Sequence, residues 1–269
     1  MEGSTLSTLE PALRDKQVYE KRLTSYYLDL CKRTNKEKVK EFADFRKFDI
    51  NTVNKCGIFY IGEMAEMLLP QYIDEVSEFG VISPTNNMPI FKNRWVIPIK
   101  NESGLVENFV GYSPNADERY IYGTARYYQR RETLWGLENL HKAYEMGYAF
   151  VTEGITDAIR LRDLGYENAF AMCGTHSSEF IMQQLNRCRY GVIRIPDRDD
   201  PGLRALKNWK CNRNATLYIN FQYKDIDALC AESKENQEWA RDYLNACVDW
   251  IKTEEHKGQQ CICESVTML

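Results

Sequence analysis

The chain has 269 residues, of which 43% are hydrophobic, 28% charged and 12% aromatic, and its formal net charge is −4. That length is about two domains' worth and folds without disulfide or metal staples, and the composition excludes disordered, fibrous and collagen-like chains. The negative balance gives no global pull toward nucleic acid, so any such partner must be held by a local patch.

Residues 1–14 read as a loose arm without the apolar core of a secretory signal. No apolar run approaches the ~18 residues of a membrane span, so a cytoplasmic location and no membrane partner are expected. From Asp15 to about Gly80, apolar residues recur at helical spacing (Tyr19, Leu23, Tyr26, Tyr27, Leu30, then Val39, Phe42, Phe45), with breaks at Asp49, Gly62 and Pro70. At Arg94 the period changes. RWVIPIK (94–100) and LVENFVGY (105–112) flank the turn-rich Asn101–Gly104 and predict a β-hairpin.

From Tyr148 the predicted elements alternate. Strands are expected at 148–152, 168–172, 191–196 and 215–221, helices at 155–165, 177–187 and 203–209, and a long amphipathic helical stretch from Ile226 to Trp250. Short apolar strands alternating with helices mean a mostly parallel sheet covered on both faces. Nine cysteines are scattered without a C-x-x-C pair and read as free thiols; the Cys261/Cys263 pair offers too few ligands for zinc. His141, His176 and His256 have no Cys or acid at ligand spacing.

Ligands of open α/β sheets bind beyond the carboxyl ends of the strands. There the sequence places Glu153-Gly154, then Asp197-Arg198-Asp199-Asp200, then Asp225-Ile226-Asp227. Asp157 follows one helical turn after Glu153, but an acid there serves equally well as an ordinary helix cap. Two like charges about 4 Å apart repel by ~4 kcal/mol at an effective dielectric near 20, so a rim of carboxylates requires a cation. Oxygen donors select a hard ion, Mg²⁺ when phosphates are also gripped. A D-x-D run in an extended segment directs both acids to one side, toward one metal. Upstream, RYIYGTARYYQRR (119–131) packs four arginines and four tyrosines into thirteen positions without an acid. Such a segment suits phosphates and stacked bases.

These motifs resemble a known family. RWVIPI with its hairpin, ERYIYG, LWGL, VTEGITDA, CGT, DRDDPG and KDIDAL occur in the order found in the catalytic (RNA polymerase) core of bacterial and phage DnaG-type DNA primases, with 150–231 resembling the topoisomerase–primase (TOPRIM) domain. The resemblance implies an α/β fold: a TOPRIM (Rossmann-like), mostly parallel sheet flanked by helices, preceded by a small mixed α/β N-terminal lobe with a β-hairpin. The expected divisions are an arm (1–14), the N-terminal lobe (15–145), the TOPRIM domain (146–232) and a C-terminal helix with a polar tail (233–269).

The resemblance further implies Mg²⁺-dependent synthesis of short RNA primers on single-stranded DNA, a nucleotidyltransferase reaction, with Mn²⁺ as a substitute ion. Glu153, Asp197 and Asp199 are the expected catalytic acids, and Glu153, Asp197, Asp199, Asp225 and Asp227 the expected metal ligands. Arg94, Arg119, Tyr120, Arg126, Arg130 and Arg131 are expected to contact template or ribonucleoside triphosphate. Tyr112 and Arg198 stand where the family usually has an arginine and a glycine. No zinc-binding module and no G-x-x-x-x-G-K-[ST] motif is legible, so a separate zinc module and a replicative helicase are expected partners, and so compact a core points to a phage or mobile element. The alternatives are a TOPRIM nuclease, which shares these acids, and a non-catalytic single-stranded-DNA-binding module of the replication fork.

Overall fold

The computed structural model describes residues 6–173, 178–197, 214–217, 223–253 and 260–263. The chain divides into two compact units, Met1–Phe45 with Val53–Tyr128, and Arg46–Thr52 with Gln129–Leu269. Among the described residues no helix is long and apolar enough to cross a membrane.

Along the chain, α1 (Leu6–Arg33), α2 (Lys36–Arg46), α3 (Ile50–Cys56), β1 (Phe59–Ile61) and α4 (Met64–Met67) come first, in the first unit except for Arg46 of α2 and the start of α3. The hairpin expected at Arg94 is present as β2 (Arg94–Lys100) and β3 (Val106–Tyr112), and β4 (Tyr120–Tyr122) completes an antiparallel sheet in the order β1-β2-β3-β4. The helical spacing of Tyr19, Leu23, Tyr26, Tyr27 and Leu30 puts all five on one buried face of α1, packed with Phe59, Phe79, Phe91 and Phe109. That helix begins at Leu6, inside the segment expected to be an arm, because adding turns to a formed helix costs far less than nucleating one.

The second unit contains β5 (Leu134–Trp135), α5 (Leu140–Met146), β6 (Tyr148–Thr152), α6 (Ile155–Asp163), β7 (Ala169–Met172), α7 (Glu179–Leu185), β8 (Gly191–Ile195), β9 (Asn214–Leu217), α8 (Ile226–Glu232), α9 (Lys234–Lys252) and β10 (Gln260–Cys263). Its sheet runs β10-β9-β8-β6-β7-β5, parallel throughout except for β5 at one edge. Every residue of β6, β7 and β8 is buried, as expected of strands covered on both faces. From β6 the chain moves outward to β7, then returns to the other side of β6 as β8. The β6/β8 boundary is therefore the topological switch point, where ligands of such sheets bind.

Two local outcomes differ from the sequence-based expectation, and a third expectation lies outside the described residues. The helical stretch 226–250 is two helices, because the Ser233 hydroxyl accepts the Asn236 N–H at 3.1 Å and starts a new one. The segment expected to be a polar tail contributes β10, paired with β9. The helix expected at 203–209 lies outside the described residues. Phe150, in the centre of β6, is 0% exposed, and Phe180, on α7, is 50% exposed. Phe150→Ala is expected to lower stability by about 3–5 kcal/mol in urea unfolding followed by circular dichroism, against under about 1 kcal/mol for Phe180→Ala.

Candidate metal centre

The site is built at the carboxyl ends of the adjacent parallel strands β9, β8 and β6. Beyond β6 the chain passes through Glu153 and Gly154 into α6, whose first turn carries Asp157, 4% exposed. A Cβ on Gly154 would overlap Asp157 Oδ2, so a larger residue there would displace that carboxylate. Asp197 follows β8 by two residues and is half-buried. Asp225, also half-buried, is the N-cap of α8. One oxygen from each of Asp157, Asp197 and Asp225 lies within 4.8 Å of the other two.

Protein donors fix each of these carboxylates. Asp157 Oδ1 accepts the Asp227 backbone N–H at 3.1 Å, and Asp225 Oδ1 accepts that of Ala228 at 2.7 Å. Asp197 Oδ2 lies 3.1 Å from the ammonium of Lys224, itself 61% exposed. Burial, then the neighbouring charges of Asp225 and Asp197, push the Asp157 carboxyl well above the usual carboxylate range, against the opposing pull of Arg46 and Lys224. Hard oxygen donors, crowded and short of positive charge, make a fitting cradle for a divalent cation.

Asp197 and Asp225 are two of the five ligands expected from sequence. Asp157 joins them, although the sequence left it balanced between a site residue and a helix cap. Its position four residues after Glu153 was the available signal. Glu153 is half-buried at the end of β6 and stands outside the cluster of three. Asp199 lies outside the described residues. The expectation that Asp225 and Asp227 face one metal from an extended D-x-D segment is corrected here. Helix α8 begins between them: Asp225 is the extended N-cap, its carboxylate accepting the Ala228 N–H, whereas Asp227 lies in the first helical turn. Asp227 is 2% exposed and turns inward: Oδ1 accepts from Arg160 Nε at 2.9 Å and Oδ2 from Arg46 Nη2.

The expected template residues fall in both units. In the first, Arg94 is buried and donates through Nη1 to the carbonyls of Glu118 at 3.0 Å and Arg119 at 3.2 Å, bracing the turn before β4. Arg119 is exposed, and Tyr120 is half-buried with its ring 5.0 Å from that of Tyr112. Arg126 is exposed, pairs with Glu78 at 3.2 Å and lies over the Tyr127 ring. In the second unit Arg130 and Arg131 are exposed; Arg130 Nε donates to the Cys173 carbonyl, and the Arg131 carbonyl accepts the Ser178 N–H at 2.8 Å.

Residues 150–230 match the family described as Toprim-like. A DNA primase of Thermotoga maritima is 26% identical over 235 residues, which cover 81% of this chain and 41% of that protein. The chain spans well under half the length of the curated relatives it matches. Among solved structures, the zinc-binding and RNA polymerase domains of the Aquifex aeolicus primase superpose with a TM-score of 0.71 at 25% identity, over 85% of this chain and 61% of that one. A DnaG primase catalytic domain bound to single-stranded DNA gives a TM-score of 0.71 at 19% identity, over 87% and 80% of the two chains, a likeness of fold.

With its folded pKa above the ordinary 3.8, Asp157 keeps a proton in the folded protein that the unfolded chain has already lost. Metal-free stability therefore falls as pH rises from about 4 through the raised value. Asp157→Asn removes that slope. In chelator, the variant is expected to melt above the parent at about pH 8, and the gap to close as pH approaches about 4 in a series of thermal scans.

Proposed function

We propose, from a chain with the sequence and fold of the DnaG-type primase core and its TOPRIM domain, that this protein joins ribonucleotides into short RNA primers on a single-stranded DNA template, with Mg²⁺ as cofactor. The observation that carries the reading is the convergence of Asp157, Asp197 and Asp225 at the switch point of the parallel sheet. Mg²⁺ suits an all-oxygen site that must also take substrate phosphates, and Mn²⁺ is the natural substitute. Asp157, Asp197 and Asp225 would hold such an ion, which would supply charge neutralisation for the phosphates as the primer 3′-hydroxyl displaces pyrophosphate from the incoming triphosphate.

The chain's own residues supply the frame. Asp157, Asp197 and Asp225 are the proposed ligands, with Glu153 as the acid beside them at the end of β6 and Asp199, from the DRDD run, as a further ligand assigned from sequence. Asp227, held by two guanidinium groups, is assigned to the support of this centre. The Lys224 ammonium offsets part of the negative charge while the site is empty of substrate and is exposed enough to turn toward an incoming phosphate. Arg119, Tyr120, Arg126, Arg130 and Arg131 are the proposed contacts to template and triphosphate, since guanidinium forks grip phosphate and both residue types stack on bases. Arg94 holds the loop that presents Arg119. A replicative helicase and a separate zinc-binding module are the proposed protein partners.

Incubation with single-stranded DNA, Mg²⁺ and labelled ribonucleotides, followed by resolution of the products, tests the reading. Short labelled RNA is expected from the parent, and Asp157→Asn, Asp197→Asn and Asp225→Asn are each expected to reduce it at least about 100-fold. Shortening of the template instead would make the protein a nuclease, and DNA binding without product under either metal would make it a binding module.

A further inference from the structure

Helix α6 carries a second functional-looking side chain, one turn beyond Asp157. Arg160 is 0% exposed, and its guanidinium is engaged on every side. Nε donates to Asp227 Oδ1 at 2.9 Å, Nη1 to Asp163 Oδ2 at 2.9 Å and to the Lys47 carbonyl at 3.0 Å, and Nη2 to the Arg46 carbonyl at 2.6 Å. The Phe48 ring lies 4.3 Å from its Cζ. Arg46 returns over the top, its Nη2 on the other oxygen of Asp227.

A buried pair of this kind is poor value as a device for stability alone, since apolar replacements of similar volume are often equally stable. What it fixes is geometry. Asp227 is two residues from Asp225, and its own backbone N–H is the donor on Asp157 Oδ1 at 3.1 Å. The Arg160–Asp227 pair therefore joins α6 to the first turn of α8, within one helical turn of an acid on each side.

We propose that Arg160 is a positioning residue of the metal centre: acting through Asp227, it sets the gap between the Asp157 and Asp225 carboxylates and so the affinity for the divalent ion, without touching that ion. The inference rests on the metal reading given under Proposed function. Groups that hold ligands in place typically change metal affinity by 10–100-fold when lost. Lysine is no substitute here, because one ammonium cannot span two carboxylates and two backbone carbonyls as a planar fork does.

The test is Mn²⁺ binding to the full chain, read from loss of the free-ion paramagnetic resonance signal, at a temperature where circular dichroism shows each variant folded. The parent is expected to bind Mn²⁺, Asp157→Asn to lose that binding, and Arg160→Lys to bind at least about 10-fold more weakly. A merely structural arginine would lower the melting temperature of Arg160→Lys and leave its Mn²⁺ affinity within about twofold of the parent; that result overturns the inference. Should Arg160→Lys not fold, Arg46→Gln takes its place, since Arg46 is 21% exposed and its loss removes the guanidinium from Asp227 Oδ2. A severalfold weakening supports the inference, and unchanged affinity overturns it. Mn²⁺ binding that depends on Arg160 in a protein making no primers would sink the primase reading and leave this inference standing. A parent that binds no Mn²⁺ would sink the inference itself.

Discussion

Mutual repulsion among Asp157, Asp197 and Asp225 is the constraint around which the second unit is arranged. Oxygens within 4.8 Å of one another, with one of their carboxylates almost wholly buried, repel by several kcal/mol per pair even at an effective dielectric near 20. The protein meets this with the raised proton affinity of Asp157, fixed donors and one exposed ammonium. Backbone N–H groups hold Asp157 and Asp225, and Lys224 reaches Asp197. These donors orient the acids and offset only part of the repulsion.

The two acids of the KDIDAL run divide the work between them. Asp225 caps α8 and faces the rim, whereas Asp227 faces inward onto Arg46 and Arg160. The inward cluster is close to neutral, since its two guanidinium groups are matched by Asp227 and Asp163. The electrostatic imbalance is thus confined to the rim, which is only partly buried, and is kept out of the interior, where it would be far more costly.

The alternation of strands and helices was legible because strands buried on both faces appear as short, nearly continuous apolar runs, as in YAFVT and GVIRI. The hairpin was legible from its turn and its period. β10 was not, because its pairing with β9 is set by distant chain and not by any local pattern. Asp197 and Asp225 announced themselves by standing after strands. Asp157 did not, since an acid in the first turn of a helix looks the same whether it caps the helix or serves a site. Asp227 misled for the opposite reason: a D-x-D run means one thing in extended chain and another where a helix starts at its middle residue. Arg160, in the run RLRD, carries no local signal of burial, and only the tertiary fold reveals that it is wholly interior.

The second unit is not one continuous stretch of chain. Residues 46–52 belong to it, and the carbonyls of Arg46 and Lys47 are acceptors for the Arg160 guanidinium. A truncated polypeptide starting at residue 129 would keep the whole six-stranded sheet but strand a buried cation with two of its acceptors missing, and each orphaned donor costs about 1–3 kcal/mol. Dissecting this protein into modules by a single cut is therefore a poor strategy; the excised half must carry its seven-residue graft from upstream to inherit an intact interior.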